Sequence, residues 1–159
     1  AKQWLADVPE WAQKLANKYW PGPLTLVGNR TALASDLVTG GQDTVAVRVP
    51  SHKIAQELLA ELKTLGVPGL VAPSANKFGE VSPTSAKHVE ADLGENFKSH
   101  DYLILDGGPS SVGLESTIVL ITGSYPVILR PGAISDIGRF YWTKKCESPP
   151  CTYTTFSCN

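Results

Sequence analysis

Methionine is absent from the chain, and cysteine is absent from its first 145 residues. Cys146, Cys151 and Cys158 all lie in the terminal stretch. A cysteine-free body suits a reducing compartment. The tail spacing matches no common zinc site and no histidine lies among the three, so incidental thiols are favoured over a disulfide or a metal clip. Long apolar runs are also missing. No stretch approaches the roughly 18 apolar residues of a membrane span, and no apolar region follows Ala1-Lys2-Gln3-Trp4 as a signal peptide would require. Without an initiator methionine, the simplest reading is a sequence that starts within a longer protein. Basic runs are short, the longest being Lys144-Lys145, and the net charge is −1. No global field therefore draws the chain to nucleic acid, and an RNA contact would need a local basic patch. There is no Gly-x-x-x-x-Gly-Lys-Ser/Thr phosphate loop and no Gly-x-Ser-x-Gly elbow. His52, His88 and His100 stand apart without metal spacing and carry no catalytic weight.

What remains is the material of one ordinary domain. The 159 residues are 42% hydrophobic and 18% charged, enough apolar material to bury a core. Asp7 and Glu10 have capping-box spacing ahead of Trp11, Leu15 and Tyr19, which predicts a helix over residues 8–19, stopped by Trp20-Pro21-Gly22-Pro23. Residues 24–27 read as a short buried strand and residues 28–41 as a polar loop. In Thr44-Val45-Ala46-Val47-Arg48-Val49 the three valines share one face, and Thr44, Ala46 and Arg48 share the other. That second face is either a ligand side or a plain solvated side, and the pattern alone favours the solvated reading. Ser51 is placed to cap a helix running to about residue 65, with Ile54, Leu58, Leu62 and Leu65 as its stripe and Gly66 as its stop. Residues 70–72, 102–105, 116–121 and 127–130 read as strands. Ser82-Pro83 reads as the start of a helix that carries Ala86, Val89 and Leu93 and ends at Gly94. Strands alternating with helices predict a mixed α/β sheet.

Polar residues gather just past the strand ends. Ser74 and Asn76 follow one short strand, Ser116 and Thr117 begin another after a glycine-rich loop, and Arg130 closes the last before Pro131-Gly132. Ligands of open α/β sheets bind outside the carboxyl ends of strands, and an arginine there can clamp a carboxylate or phosphate through two parallel hydrogen bonds. Turn-forming serines, asparagines and glycines give the same pattern in any loop, so both readings stand on spacing alone.

Five segments together resemble one family. They are Tyr19-Trp20-Pro21-Gly22-Pro23-Leu24-Thr25; Thr44-Val45-Ala46-Val47-Arg48-Val49-Pro50; Ala72-Pro73-Ser74-Ala75-Asn76 with Gly79 and Ser82-Pro83-Thr84; Leu105-Asp106-Gly107-Gly108 with Gly113-Leu114-Glu115-Ser116-Thr117-Ile118; and Leu129-Arg130-Pro131-Gly132. In this order they are similar to the motifs of the YrdC-like threonylcarbamoyl-AMP synthases over about residues 14–135. The resemblance implies a twisted mixed sheet with flanking helices, incomplete on its N-terminal side. It implies synthesis of L-threonylcarbamoyladenylate and pyrophosphate from L-threonine, bicarbonate and ATP, with Mg²⁺ on the phosphates. A downstream tRNA threonylcarbamoyl transferase would then modify an adenosine of tRNA, in the cytoplasm and without a membrane. Carried across residue by residue, Arg48, Ser74 and Ser116 are expected to hold threonine. Thr44, Asn76, Ser82, Thr84 and Arg130 are expected near the nucleotide. No side chain is assigned as catalytic and none as a metal ligand, which fits adenylate chemistry that depends on positioning and charge neutralisation.

The chain also departs from the family. No Lys-x-Arg element occurs anywhere, and the Pro-Thr-x-Thr-type strand that normally precedes the Trp-Pro-Gly-Pro segment is absent. The missing cations and strands lead to the expectation that this polypeptide alone is weakly stable or inactive. The domain is assigned to residues 1–139, and residues 140–159 form an irregular cysteine-containing tail that matches nothing in the family. Three alternatives stay open. The first is the related carbamoyl-transfer module of hydrogenase maturation, whose usual zinc-finger neighbours are not seen. The second is a non-catalytic double-stranded-RNA-binding module of the same fold, and the third is a nonfunctional fragment.

Overall fold

The computed structural model describes residues 1, 3–77, 82–95, 102–110 and 115–137. The expected cysteine tail, Gly79 and Gly113-Leu114 lie outside them. In chain order the elements are α1 (Glu10–Tyr19), β1 (Leu24–Asn29), α2 (Asp36–Thr39), β2 (Thr44–Arg48), α3 (Lys53–Thr64), α4 (Ala86–Leu93), β3 (Thr117–Leu120) and β4 (Val127–Arg130). The four strands form one mixed sheet in the order β2-β1-β3-β4. β1 is antiparallel to β2 and parallel to β3, and β4 returns antiparallel to β3.

Helix α1 begins later than the spacing of Asp7 and Glu10 predicts. Pro9 disfavours helical geometry at Val8, the residue before it, so the helix opens behind Pro9 and no side chain caps it. Ala12 and Leu15 are fully buried against the sheet. The cis Trp20-Pro21 peptide ends the helix, and the Trp20 indole Nε1 donates to the Leu24 carbonyl at 2.7 Å.

Burial alternates along β1, with Leu24 and Leu26 buried. Gly28 continues that face because a Cβ there would press on the Ile121 and Leu5 side chains. Val45 and Val119 lie on the same side, and with Leu5, Leu15, Ile121, Ile134 and Ile137 they form the core. Val47 packs against this core too, so the inward valine face expected for residues 44–49 holds for Val45 and Val47, while the strand ends at Arg48, before Val49. The region expected to be a featureless loop contains the single turn α2, entered at Ser35 and left through Gly40 in the left-handed conformation.

Helix α3 starts after His52 rather than Ser51. It stops as expected at Gly66, whose φ is +79°, with the Val67 N–H returning to the Leu62 carbonyl. Ser85, not Ser82, caps α4 by accepting from the His88 N–H at 3.4 Å, and the Ser82 hydroxyl is used elsewhere. The strands expected at residues 70–72 and 102–105 are not strands. An apolar extended segment becomes one only beside a hydrogen-bonding neighbour, and Leu70, Val71, Leu103 and Leu105 stand exposed without such a ladder. No residue of α3 or α4 is buried. Among the described residues no helix is long and apolar enough to cross a membrane.

Two outcomes follow. Leu26→Ala, at the centre of the sheet, should destabilise the protein by about 2–5 kcal/mol in denaturant titration. The second concerns the seam between α1 and the end of the domain, where the Tyr19 hydroxyl donates to Asp136 Oδ1 at 2.8 Å. That bond, helped by Lys18, holds the Asp136 carboxyl below its ordinary value. A folded pKa below the unfolded one stabilises the fold above about pH 4, and the contribution is lost as pH falls through the lower folded value. Tyr19→Phe should therefore lower Tm at neutral pH, and its difference from the parent should close in acid.

Candidate functional site

The face of the sheet opposite the core carries the polar residues, and register places them in a line. Arg48 of β2 pairs with Thr25 of β1, Thr25 with Ile118 of β3, and Ile118 with Arg130 of β4. These four residues form one row across all four strands. With strands about 4.8 Å apart, the two arginine backbones stand roughly 14 Å apart, a span that two long side chains reaching inward can cover. Burial, and then repulsion by Arg130, holds the Arg48 guanidinium below its ordinary pKa, as expected for two cations facing a common space.

Each arginine is fixed differently. Arg48 Nε donates to the Gly22 carbonyl at 3.0 Å, and the Gly22 N–H donates to the Val49 carbonyl at 2.8 Å. The Trp-Pro-Gly-Pro turn thus braces the end of β2. Among the described residues the two terminal nitrogens of Arg48 have no hydrogen-bond partner, which leaves an open fork. Arg130 grips Ser116: Nε and Nη2 both donate to the Ser116 carbonyl, at 3.2 and 2.9 Å, and Nη2 donates to Ser116 Oγ at 3.0 Å. Ser116 Oγ is also hydrogen-bonded to Thr25 Oγ1 at 2.9 Å. Arg130 Nη1 pairs with Glu115 Oε2 at 2.5 Å, and Glu115 Oε1 accepts from the Ser82 hydroxyl at 3.0 Å. The site is therefore a continuous network of Thr25, Ser116, Arg130, Glu115 and Ser82, with Arg48 facing it across the sheet.

Of the eight residues expected to bind ligand, this network unites Ser116, Arg130 and Ser82, and Arg48 faces it. Thr44 shares the face of Arg48 but sits four residues further back along the strand, opposite Asn29. Ser74 is exposed on the coil that leads out of α3, and its side chain makes no hydrogen bond among the described residues. The Asn76 amide donates locally, to the Lys77 carbonyl. Thr84 belongs to a neighbouring cluster: its hydroxyl meets His88 Nδ1 at 3.2 Å and its carbonyl accepts the Ser110 N–H. Glu115 and Thr25 were not among the expected site residues. Glu115 was legible as the one acid beside Ser116, whereas Thr25 is placed by register, which the sequence does not display. His52 is a further addition, contacting the Gly107 carbonyl at 3.2 Å beside the turn in which Asp106 Oδ1 accepts the Gly108 N–H. No cluster of three or more His, Cys, Asp or Glu that could hold a metal occurs among the described residues.

Fold and site together define an α/β domain whose mixed sheet has one core face and one cationic open face. The Sua5/YciO/YrdC family model, described as "Telomere recombination", matches residues 1–132, and the chain belongs to that family. The threonylcarbamoyl-AMP synthase of Pyrococcus abyssi is 45% identical over 128 residues, covering 80% of this chain and 35% of the relative. That of Bacillus subtilis is 43% identical over the same length and shares. The solved structure of P. abyssi Sua5 complexed with L-threonine superposes with a TM-score of 0.71 at 44% identity, covering 82% of this chain and 36% of that one. The chain thus spans about a third of the length of these relatives.

The crossing of residues 131–134 over residues 115–117 sets the position of Arg130. A Cβ on Gly132 would overlap the backbone of Glu115, Ser116 and Thr117. Gly132→Ala should therefore cost about 1–3 kcal/mol in chemical denaturation, by forcing apart backbones that have no room to yield.

Proposed function

We propose that this chain forms part of an L-threonylcarbamoyladenylate synthase, working in the cytoplasm and supplying threonylcarbamoyl-AMP to a tRNA threonylcarbamoyl transferase. The observation that carries the reading is the row that faces Arg48, with its open fork, toward the Arg130–Ser116 clasp. An amino-acid carboxylate needs a free, planar, paired donor, and Arg48 supplies one. In this reading Ser116 Oγ, held from behind by Arg130 and Thr25, bonds the same amino acid. Arg130, Ser82, Thr84, Asn76 and Thr44 line the nucleotide side in this reading, and Ser74 contributes to the threonine side.

The chemistry asks for positioning more than for a nucleophile from the protein. The threonine amine takes up bicarbonate, losing water, to give a carbamate. A carbamate oxygen attacks the α-phosphorus of ATP, and pyrophosphate leaves. Holding the carboxylate and the α-phosphate at fixed separation converts an encounter of two anions into an intramolecular-like step, and the two guanidinium groups offset their mutual repulsion. Mg²⁺ enters on the triphosphate as part of the substrate.

The test uses the longest natural form of the polypeptide with L-threonine, bicarbonate, ATP and Mg²⁺. Threonylcarbamoyl-AMP, detected by mass spectrometry, and pyrophosphate should appear together and only when all three reactants are present. Arg48→Ala should weaken threonine binding in calorimetry by about 1.5–3 kcal/mol or more, the loss of a charge-assisted pair. Unchanged threonine affinity in that variant, or no product from the full-length parent, would overturn the reading.

A further inference from the structure

The hydrogen-bond inventory of Arg130 shows where an anion can reach it. A guanidinium has five N–H groups. Three of those on Arg130 are directed at Ser116, from Nε to its carbonyl and from Nη2 to its carbonyl and hydroxyl. The remaining two are both on Nη1, which faces away from the clasp, and the Glu115 carboxylate engages that nitrogen through one oxygen. Both side chains of this pair are partly open to solvent, at 38% and 50% exposure. The other oxygen of Glu115 is tied to the Ser82 hydroxyl.

We propose that Glu115 is a displaceable counter-ion of the anion subsite: it holds the outward edge of Arg130 until a phosphate takes its place, and its departure frees Ser82. A phosphate oxygen that binds Arg130 without breaking the Ser116 clasp must use Nη1, so it must share that nitrogen with Glu115 or expel it. Two carriers of negative charge cannot sit on one edge without repulsion. The exchange is also cheap on the protein side, because a solvent-facing ion pair contributes little to stability. The ligand class follows from the geometry: a phosphoryl group on the nucleotide side, with threonine on the Arg48 side unaffected. Glu115 then sets affinity by competition and touches no reacting atom. The inference rests on the proposed function only for the identity of the phosphate bearer.

The substitution that tests it is Glu115→Gln, which keeps the shape and an acceptor for Arg130 but removes the competing charge. With the longest natural form of the protein, calorimetry should show ATP and inorganic pyrophosphate binding about two- to tenfold tighter than in the parent, the size expected for one partly screened charge. The gain should shrink as salt rises, and the threonine Kd should not change. Unchanged or weaker pyrophosphate binding in a folded Glu115→Gln protein would overturn the inference, as would an equal gain in threonine affinity. If Glu115→Gln gains nothing while the parent still makes threonylcarbamoyl-AMP, the counter-ion idea fails and the synthase reading stands. If the gain appears in a parent that makes no such product, the reverse holds.

Discussion

Backbone crosses backbone where residues 131–134 pass over residues 115–117, and most of the site hangs on that crossing. Gly132 gives the room. The Ala133 N–H donates to the Glu115 carbonyl, and the buried Thr117 Oγ1 both donates to the Ile134 carbonyl and accepts from the Ile134 N–H. A buried hydroxyl satisfied in both directions is a firm joint, because loss of either partner would leave a polar group unpaired. The crossing sends Ile134 and Ile137 into the core and leaves Arg130 on the opposite face, folded back on the carbonyl of Ser116. Core and open face are thus joined through a few residues of one short segment.

The open face stores electrostatic tension that the core does not have. Arg48 and Arg130 are brought toward each other by the sheet, and Arg48 is in addition drawn partly out of water. Packing elsewhere has to supply the energy of that arrangement, and Leu15, Leu24, Leu26 and Val119 do so from the other side of the same strands. Glu115 relieves part of the tension at Arg130, while among the described residues Arg48 bonds only the Gly22 carbonyl. The two cations therefore differ: one is an open fork and the other a compensated one.

The sequence made much of this legible, and its failures have physical causes. Alternation in residues 44–49 gave the correct inward and outward faces because a strand has a strict period of two. Gly66 and the Trp-Pro-Gly-Pro stop were readable because turn geometry is local. Arg48, Ser116 and Arg130 could be picked out as candidates, yet their meeting depends on a parallel β1–β3 pairing between residues some ninety positions apart, which no local pattern encodes. The same limit hid Thr25. The apolar runs at residues 70–72 and 102–105 misled for the opposite reason: composition suited to a strand does not make one without a neighbour to bond. The helix start was read at Ser82 because a serine before a proline is a local capping signal, but Ser85 caps α4 and the Ser82 hydroxyl goes to Glu115, a partner that lies far along the chain.

A row of side chains that crosses four strands is set by register and not by loop shape. Loops between these strands can lengthen or shorten without disturbing it, as sheet-based scaffolds allow. One inserted or deleted codon inside β2 would instead turn Arg48 into the hydrophobic interior and push Val47 outward. Natural variation among homologous chains should accordingly collect length changes in the connections and spare the strands, so that a frame-preserving indel within residues 44–48 or 127–130 marks a copy that has lost the row.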